Sequence, residues 1–253
     1  MPKLELSLLG HPRVRFNEAV LEFPLRKALA LLSYLGVEGT PQSREKLAAL
    51  FWPDADEERG RTALRKALVH IREVLPKKIE AVLLAERDSI ALNNDLLSVD
   101  VKALTAALQN GELEFVVANY RGAFLQGFSL PDSPDFDEWL ELRRSETQEQ
   151  YRGVIEKLSQ VLLESSKFSE ALEVTNKWLK HEPLDESAYR QLMRLYHLMG
   201  ERSSALSVFQ RCKDVLQSEL GVKPLPETLE LVKEIERGQS APLATSANKP
   251  KIP

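Results

Sequence analysis

The 253-residue chain carries 34 Lys and Arg against 38 Asp and Glu, and 43% of its residues are hydrophobic. That is the balance of a protein that buries a core, and the length admits two domains. No apolar run approaches the ~20 residues of a bilayer-spanning helix, the start Met1-Pro2-Lys3-Leu4-Glu5 is no signal peptide, and a lone Cys212 excludes an intrachain disulfide, so a cytoplasmic protein with no membrane partner is expected.

Leu4 to Leu9, Val14 to Phe16 and Val20 to Phe23 are short runs bounded by Gly10, His11-Pro12 and Asn17-Glu18. They predict a small antiparallel sheet. Pro24 suits a first helical position, and Leu25 to Leu35 has a broad apolar face ended by Gly36 and Gly39. A second helix is expected from an N-cap at Ser43 to Trp52, stopped by Pro53.

The third helix, from a cap at Asp54 or Asp56 to Pro76, is strongly two-faced. Ala63, Leu64, Ala67, Leu68, Ile71, Val74 and Leu75 fall on one arc, and Arg61, Thr62, Arg65, Lys66, Val69 and Arg72 on the opposite one. Residues 59–78 hold seven basic groups and one acid, Glu73, although the whole chain has a net charge of −4. Ala81 to Ala85, a polar turn through Glu86-Arg87-Asp88-Ser89, and Ile90 to Leu92 then read as a β-hairpin. Sheet, three helices and a final hairpin is the order of a winged helix.

Beyond Val99 strand signals nearly vanish, and helices are expected over 100–109, 112–119, 136–165, 168–181, 185–199, 202–219 and 226–237. An internal period runs through this part. Ala171 and Ala205 lie 34 residues apart, as do Leu158 and Leu192 in the preceding helix, which is the tetratricopeptide spacing. Pro183 and Pro224 sit where one helical unit hands over to the next. The expected fold is therefore mainly α, with a winged helix-turn-helix domain over 1–98, an all-α tetratricopeptide-like repeat domain over 99–237, and a linker-like, disordered tail over 238–253.

Motifs for catalysis are missing from the sequence. There is no phosphate-binding glycine loop, no Gly-x-Ser-x-Gly elbow, and no metal-ligand spacing among His11, His70, His181, His197 and Cys212. Cys212 reads as a small helix residue, and Asp132, Asp135 and Asp137 as a solvated loop and a helix cap. No enzyme and no cofactor are expected.

The basic helix carries the functional expectation. A helix fits the major groove of DNA, where Arg pairs with guanine and Thr or Val meets a thymine methyl. Arg61, Arg65 and Arg72 are the candidate base readers, with Thr62, Lys66 and Val69 beside them. Arg59, Lys77 and Lys78 suit phosphates, Arg87 at the hairpin tip suits the minor groove or the backbone, and Arg26 and Lys27 are further phosphate candidates. Taken one by one, Arg26, Lys27 and Arg44 read better as ordinary surface residues.

Leu50 to Asp56 leading into Arg61 to Leu68 resembles the family of Streptomyces antibiotic regulatory proteins, which join an OmpR-like winged helix to a bacterial transcriptional activator domain. Tyr120 to Leu125, Glu138-Trp139, Ala188 to Gly200 and Glu219 to Pro224 resemble the second domain of that family. The resemblance implies an activator that binds promoter repeats on double-stranded DNA, as two protomers side by side, and recruits RNA polymerase holoenzyme. It also implies that the turn from Trp52 through Asp54 to Asp56 touches polymerase, for which helix capping is an equal explanation. The competing expectation is a signalling or scaffold protein whose repeats bind another protein. Whether further domains follow residue 253 is left open by the sequence.

Overall fold

The computed structural model describes residues 3–238. The chain divides into two compact units, Met1–Tyr151 and Arg152–Pro253. Along the first unit run β1 (Leu4–Ser7), β2 (Arg13–Phe16), β3 (Ala19–Leu21), α1 (Arg26–Glu38), β4 (Gln42–Ser43), α2 (Arg44–Phe51) and α3 (Glu57–Val74). A 3-10 turn (Lys77–Val82), β5 (Leu83–Ala85), β6 (Ser89–Leu92), β7 (Leu97–Val99), α4 (Asp100–Asn110) and α5 (Leu113–Asn119) follow. The last element, α6 (Pro134–Glu164), begins in the first unit and ends in the second.

Alternation sets the face of the first sheet. Leu4, Leu6, Val14 and Phe16 are buried while Glu5, Arg13 and Arg15 are exposed. The strand order is β3-β2-β1-β7, antiparallel except that β7 joins β1 in parallel. A second sheet, β4-β6-β5, carries the hairpin. Two expectations are corrected here. Gly36 does not end α1, which runs on to Glu38 and closes at Gly39 with φ 68°. A Cβ at Gly36 would stand 2.6 Å from Leu6 Cδ1, so glycine serves there to bring the helix close to β1. Ala81 and Val82 belong to the 3-10 turn rather than to the hairpin, because the carbonyl of Pro76 accepts from Ile79 N at 2.9 Å and tightens the chain.

Residues beyond Val99 complete this unit. The Asp100 carboxylate accepts from Leu8 N at 2.8 Å, from Leu9 N at 3.0 Å and from Arg121 at 2.9 Å. The Arg144 guanidinium donates to the carbonyls of Phe124, Leu125 and Phe128 at 3.0, 2.7 and 2.7 Å, fixing a loop in which Leu125 has φ 45°. Phe124, Leu125, Phe128, Leu130, Phe136 and Leu140 thereby enter the same buried cluster as Leu31, Phe51 and Leu68.

The second unit holds the rest of α6, then α7 (Phe168–His181), α8 (Glu186–Leu198), α9 (Arg202–Leu220) and α10 (Pro226–Arg237). The residues that revealed the 34-residue period, Leu158, Ala171, Leu192 and Ala205, are all buried. Alanine at the contact lets neighbouring helices approach, and the buried hydroxyls of Ser159 on α6 and Thr175 on α7 meet at 2.6 Å. No helix among the described residues is long and apolar enough to cross a membrane. The tail expected from Gly238 onward lies, after that residue, outside the described residues.

Candidate nucleic-acid interface

Helix α3 is fixed at its N-terminal end and along one side. Asp56 caps it, its carboxylate accepting from Arg59 N at 2.8 Å, and Glu57 and Glu58 complement the positive end of the helix dipole. Gly60, Leu64, Ala67, Leu68 and Ile71 are buried. That leaves Arg61, Thr62, Arg65, Lys66, Val69 and Arg72 exposed together along the other side. Val69 stands 45% exposed among them.

The basic groups differ in their partners. Arg59 pairs with Asp56 at 3.3 Å. Arg61 reaches Glu57 at 2.5 Å and Glu45, on α2, at 3.3 Å. These pairs are exposed, where an ion pair contributes about 0–1 kcal/mol, so a phosphate can displace the carboxylate at small cost. Arg65, Lys66 and Arg72 have no ion pair among the described residues. Lys77 and Lys78 follow α3 on the exposed side of the 3-10 turn, and Arg87 projects at the tip between β5 and β6. The hairpin is tied down by Arg44: its backbone N donates to Asp88 O at 3.1 Å and its Nε to Glu86 O at 3.0 Å.

Arg26 and Lys27 are employed elsewhere. Arg26 donates to Ser129 O at 2.8 Å and lies over the Phe128 ring. Lys27, with its side chain only 13% exposed, donates to Phe51 O and pairs with Asp132 at 2.8 Å. Their charges hold the segment after α5 against α1. Residue order marked Arg26 and Lys27 only as weak phosphate candidates; it did not reveal their anchors, since Ser129 and Asp132 lie about a hundred residues away.

In the turn before α3, Trp52 is half-buried with Lys27 over its ring, Asp56 is spent on the cap, and Asp54 is exposed. The acidic cluster is also structural. Asp132 answers Lys27, and Asp137 accepts from Leu130 N at 2.8 Å. Cys212 is buried on α9, where burial foremost, with Glu186 adding to it, pushes the thiol up to about 12, out of reach of thiolate chemistry at neutral pH. Among the described residues no group of three or more His, Cys, Asp or Glu is placed to hold a metal ion.

A winged-helix-like unit with an exposed basic helix, followed by paired helices, is the build of a bacterial regulator. The solved structure of Mycobacterium tuberculosis EmbR in complex with a low affinity phosphopeptide shares this fold: it is 20% identical, with a TM-score of 0.64, over 96% of this chain and 67% of that one. A comparison with curated proteins found no match. The model of the bacterial transcriptional activator domain matches residues 102–236, and the chain belongs to that family of transcriptional activators.

Proposed function

We propose that this protein activates transcription by binding promoter repeats on double-stranded DNA through α3 and recruiting RNA polymerase holoenzyme. The observation that carries the reading is the exposed arc of α3, where three unpaired cations stand beside a threonine and a solvent-facing valine. Arg65 and Arg72 supply planar donors for guanine, and Thr62 and Val69 supply methyl groups for thymine. Arg59, Lys77 and Lys78 at the ends meet phosphates, and the Arg87 hairpin tip meets the flanking backbone or minor groove. Lys66 contributes to either set, and so does Arg61 once its Glu57 and Glu45 pairs give way. Among the turn residues, Asp54 is the freest to meet polymerase, with Trp52 and Asp56 keeping their structural roles. Two protomers side by side on DNA, in the cytoplasm, and no catalytic step complete the reading.

Selection of sites from a random duplex library, followed by anisotropy titration across salt, tests it. A repeated motif with affinity falling steeply in salt is expected. Arg65→Ala should then weaken one base preference by about 1–3 kcal/mol, and Lys77→Ala should weaken all sequences alike. Equal losses for Arg65→Ala on cognate and random DNA would remove Arg65 as a reader. With no motif at all, the helical repeats become the functional surface.

A further inference from the structure

The second unit contains a concave site that the DNA-binding reading does not use. A cavity of about 600 Å³ opens between the C-terminal half of α6 and the helices α7 and α8, with Glu227 of α10 at its margin. That volume is in the range of small-molecule sites. Its walls bring together donors. Arg190 is held in place by two hydroxyls, its guanidinium donating to Thr228 Oγ1 at 3.0 Å and to Ser187 Oγ at 2.8 Å. One turn on, Arg194 is exposed and has no ion pair among the described residues; partial desolvation of its guanidinium foremost, with the neighbouring Arg190 charge adding and Glu234 opposing, lowers its pKa. Lys157 faces the same space from α6. Between the two arginines in sequence is Gln191, 6% exposed, whose side-chain amide Nε2 is buried and has no hydrogen-bond partner.

A buried N–H without a partner is costly to leave unmade, and two neighbouring guanidiniums repel one another unless an anion lies between them. A fold retains such features where something else satisfies them. Two carboxylates, Glu156 and Glu227, also line the cavity, but the three cations outnumber them. Trp178 forms part of the wall and is held by its indole N–H to Asp185 at 3.2 Å, and the exposed Val161 adds apolar surface. We infer that this cavity binds a small organic anion, its phosphate or carboxylate received by Arg194, Arg190 and the Gln191 amide, and its apolar body lying along the α6 wall. The site is independent of DNA binding.

The test uses the full chain and the dye 8-anilinonaphthalene-1-sulfonate, whose fluorescence rises on leaving water, with inorganic phosphate and succinate as competitors. Saturable binding is expected, with Arg194→Met weakening it at least tenfold and Lys233→Met, a cation of α10 outside the cavity, leaving it unchanged. Displacement by phosphate alone identifies a phosphate site, and displacement by succinate alone a carboxylate site. Gln191→Met provides a second variant should Arg194→Met not melt cooperatively, and a tenfold loss is expected there too. In parallel, the Gln191 side-chain amide resonance should move as either competitor is added. Binding of equal strength in wild type and in a folded variant overturns the proposal, and so does dye that neither anion displaces.

Discussion

The two units hold themselves together in opposite ways. In the second, α7 packs on α8, α8 on α9 and α9 on α10, so each helix leans on its neighbours in sequence and small residues at a fixed period are enough to specify the contact. In the first, the decisive bonds span long stretches of chain: Asp100 to Leu8, Lys27 to Asp132, Ser133 Oγ to Phe51 O at 2.9 Å. Rings from both ends of that unit meet in one cluster, with Phe51 and Phe136 at 5.2 Å and Tyr34 and Trp139 at 4.9 Å. A repeat announces itself locally, whereas a closed core depends on residues that sequence proximity does not connect.

The largest effect should come from cutting the first unit short. A fragment ending at residue 98 discards seven buried members of the cluster, Val99 and the six from Phe124 to Leu140, at about 1.5–3 kcal/mol each, which matches the entire stability of a typical domain at about 5–15 kcal/mol. It should show no cooperative thermal transition by circular dichroism, whereas a fragment ending at residue 151 should. A sharp melt of the shorter piece would mean that the winged helix closes its core unaided. Arg144→Met comes next. Three backbone carbonyls lose their donor, and urea denaturation should show a loss of about 2–4 kcal/mol, with the transition of the second unit little changed.

Within the repeats, Ala205→Leu forces a larger side chain between closely packed helices and should cost about 1–3 kcal/mol, an effect confined to the second unit in hydrogen exchange. The smallest effect concerns Asp132. The hydrogen bond from Lys27, foremost, holds its carboxyl below the usual carboxylate range. The ionised form is thus favoured by folding, and the stabilisation is present above the unfolded value of about 4 and lost as pH falls through the lower folded value. Melting temperatures of Asp132→Asn and wild type should accordingly differ at neutral pH and converge in acid. A gap that persists below pH ~3 would detach the Lys27 pair from stability.

Much of this could be read from residue order. The α3 periodicity placed Arg61, Arg65, Lys66 and Arg72 on the exposed side, since one face of an amphipathic helix must turn inward, and Asp56 and Ser43 marked their helices through local capping bonds. The helices beyond Val99 fell within a few residues of expectation, being delimited by Gly and Pro. Strand β7 was illegible because its three residues gain meaning only from pairing with β1, 93 positions earlier. That the first compact unit extends to Tyr151 is not visible in composition, which changes at Val99, because packing there involves Phe124 and its neighbours. For the candidate interface, local pattern found α3 and the hairpin, yet it could not tell that Lys27 and Arg26 are occupied by carbonyls, a carboxylate and a ring far along the chain.

On the proposed reading, the length of the exposed arc on α3 sets how much a promoter can say to one copy of this protein. From Arg61 to Arg72 the helix advances about 16 Å, which covers about five base pairs at ~3.4 Å each. A five-letter word recurs by chance about once per thousand base pairs, so a chromosome of a few million would offer thousands of decoys. On the proposed reading, two copies reading two such words raise the spacing between chance matches to about a million base pairs. Repetition in the operator would then be a matter of information: the reading helix is too short to hold a unique address, and the address is written twice.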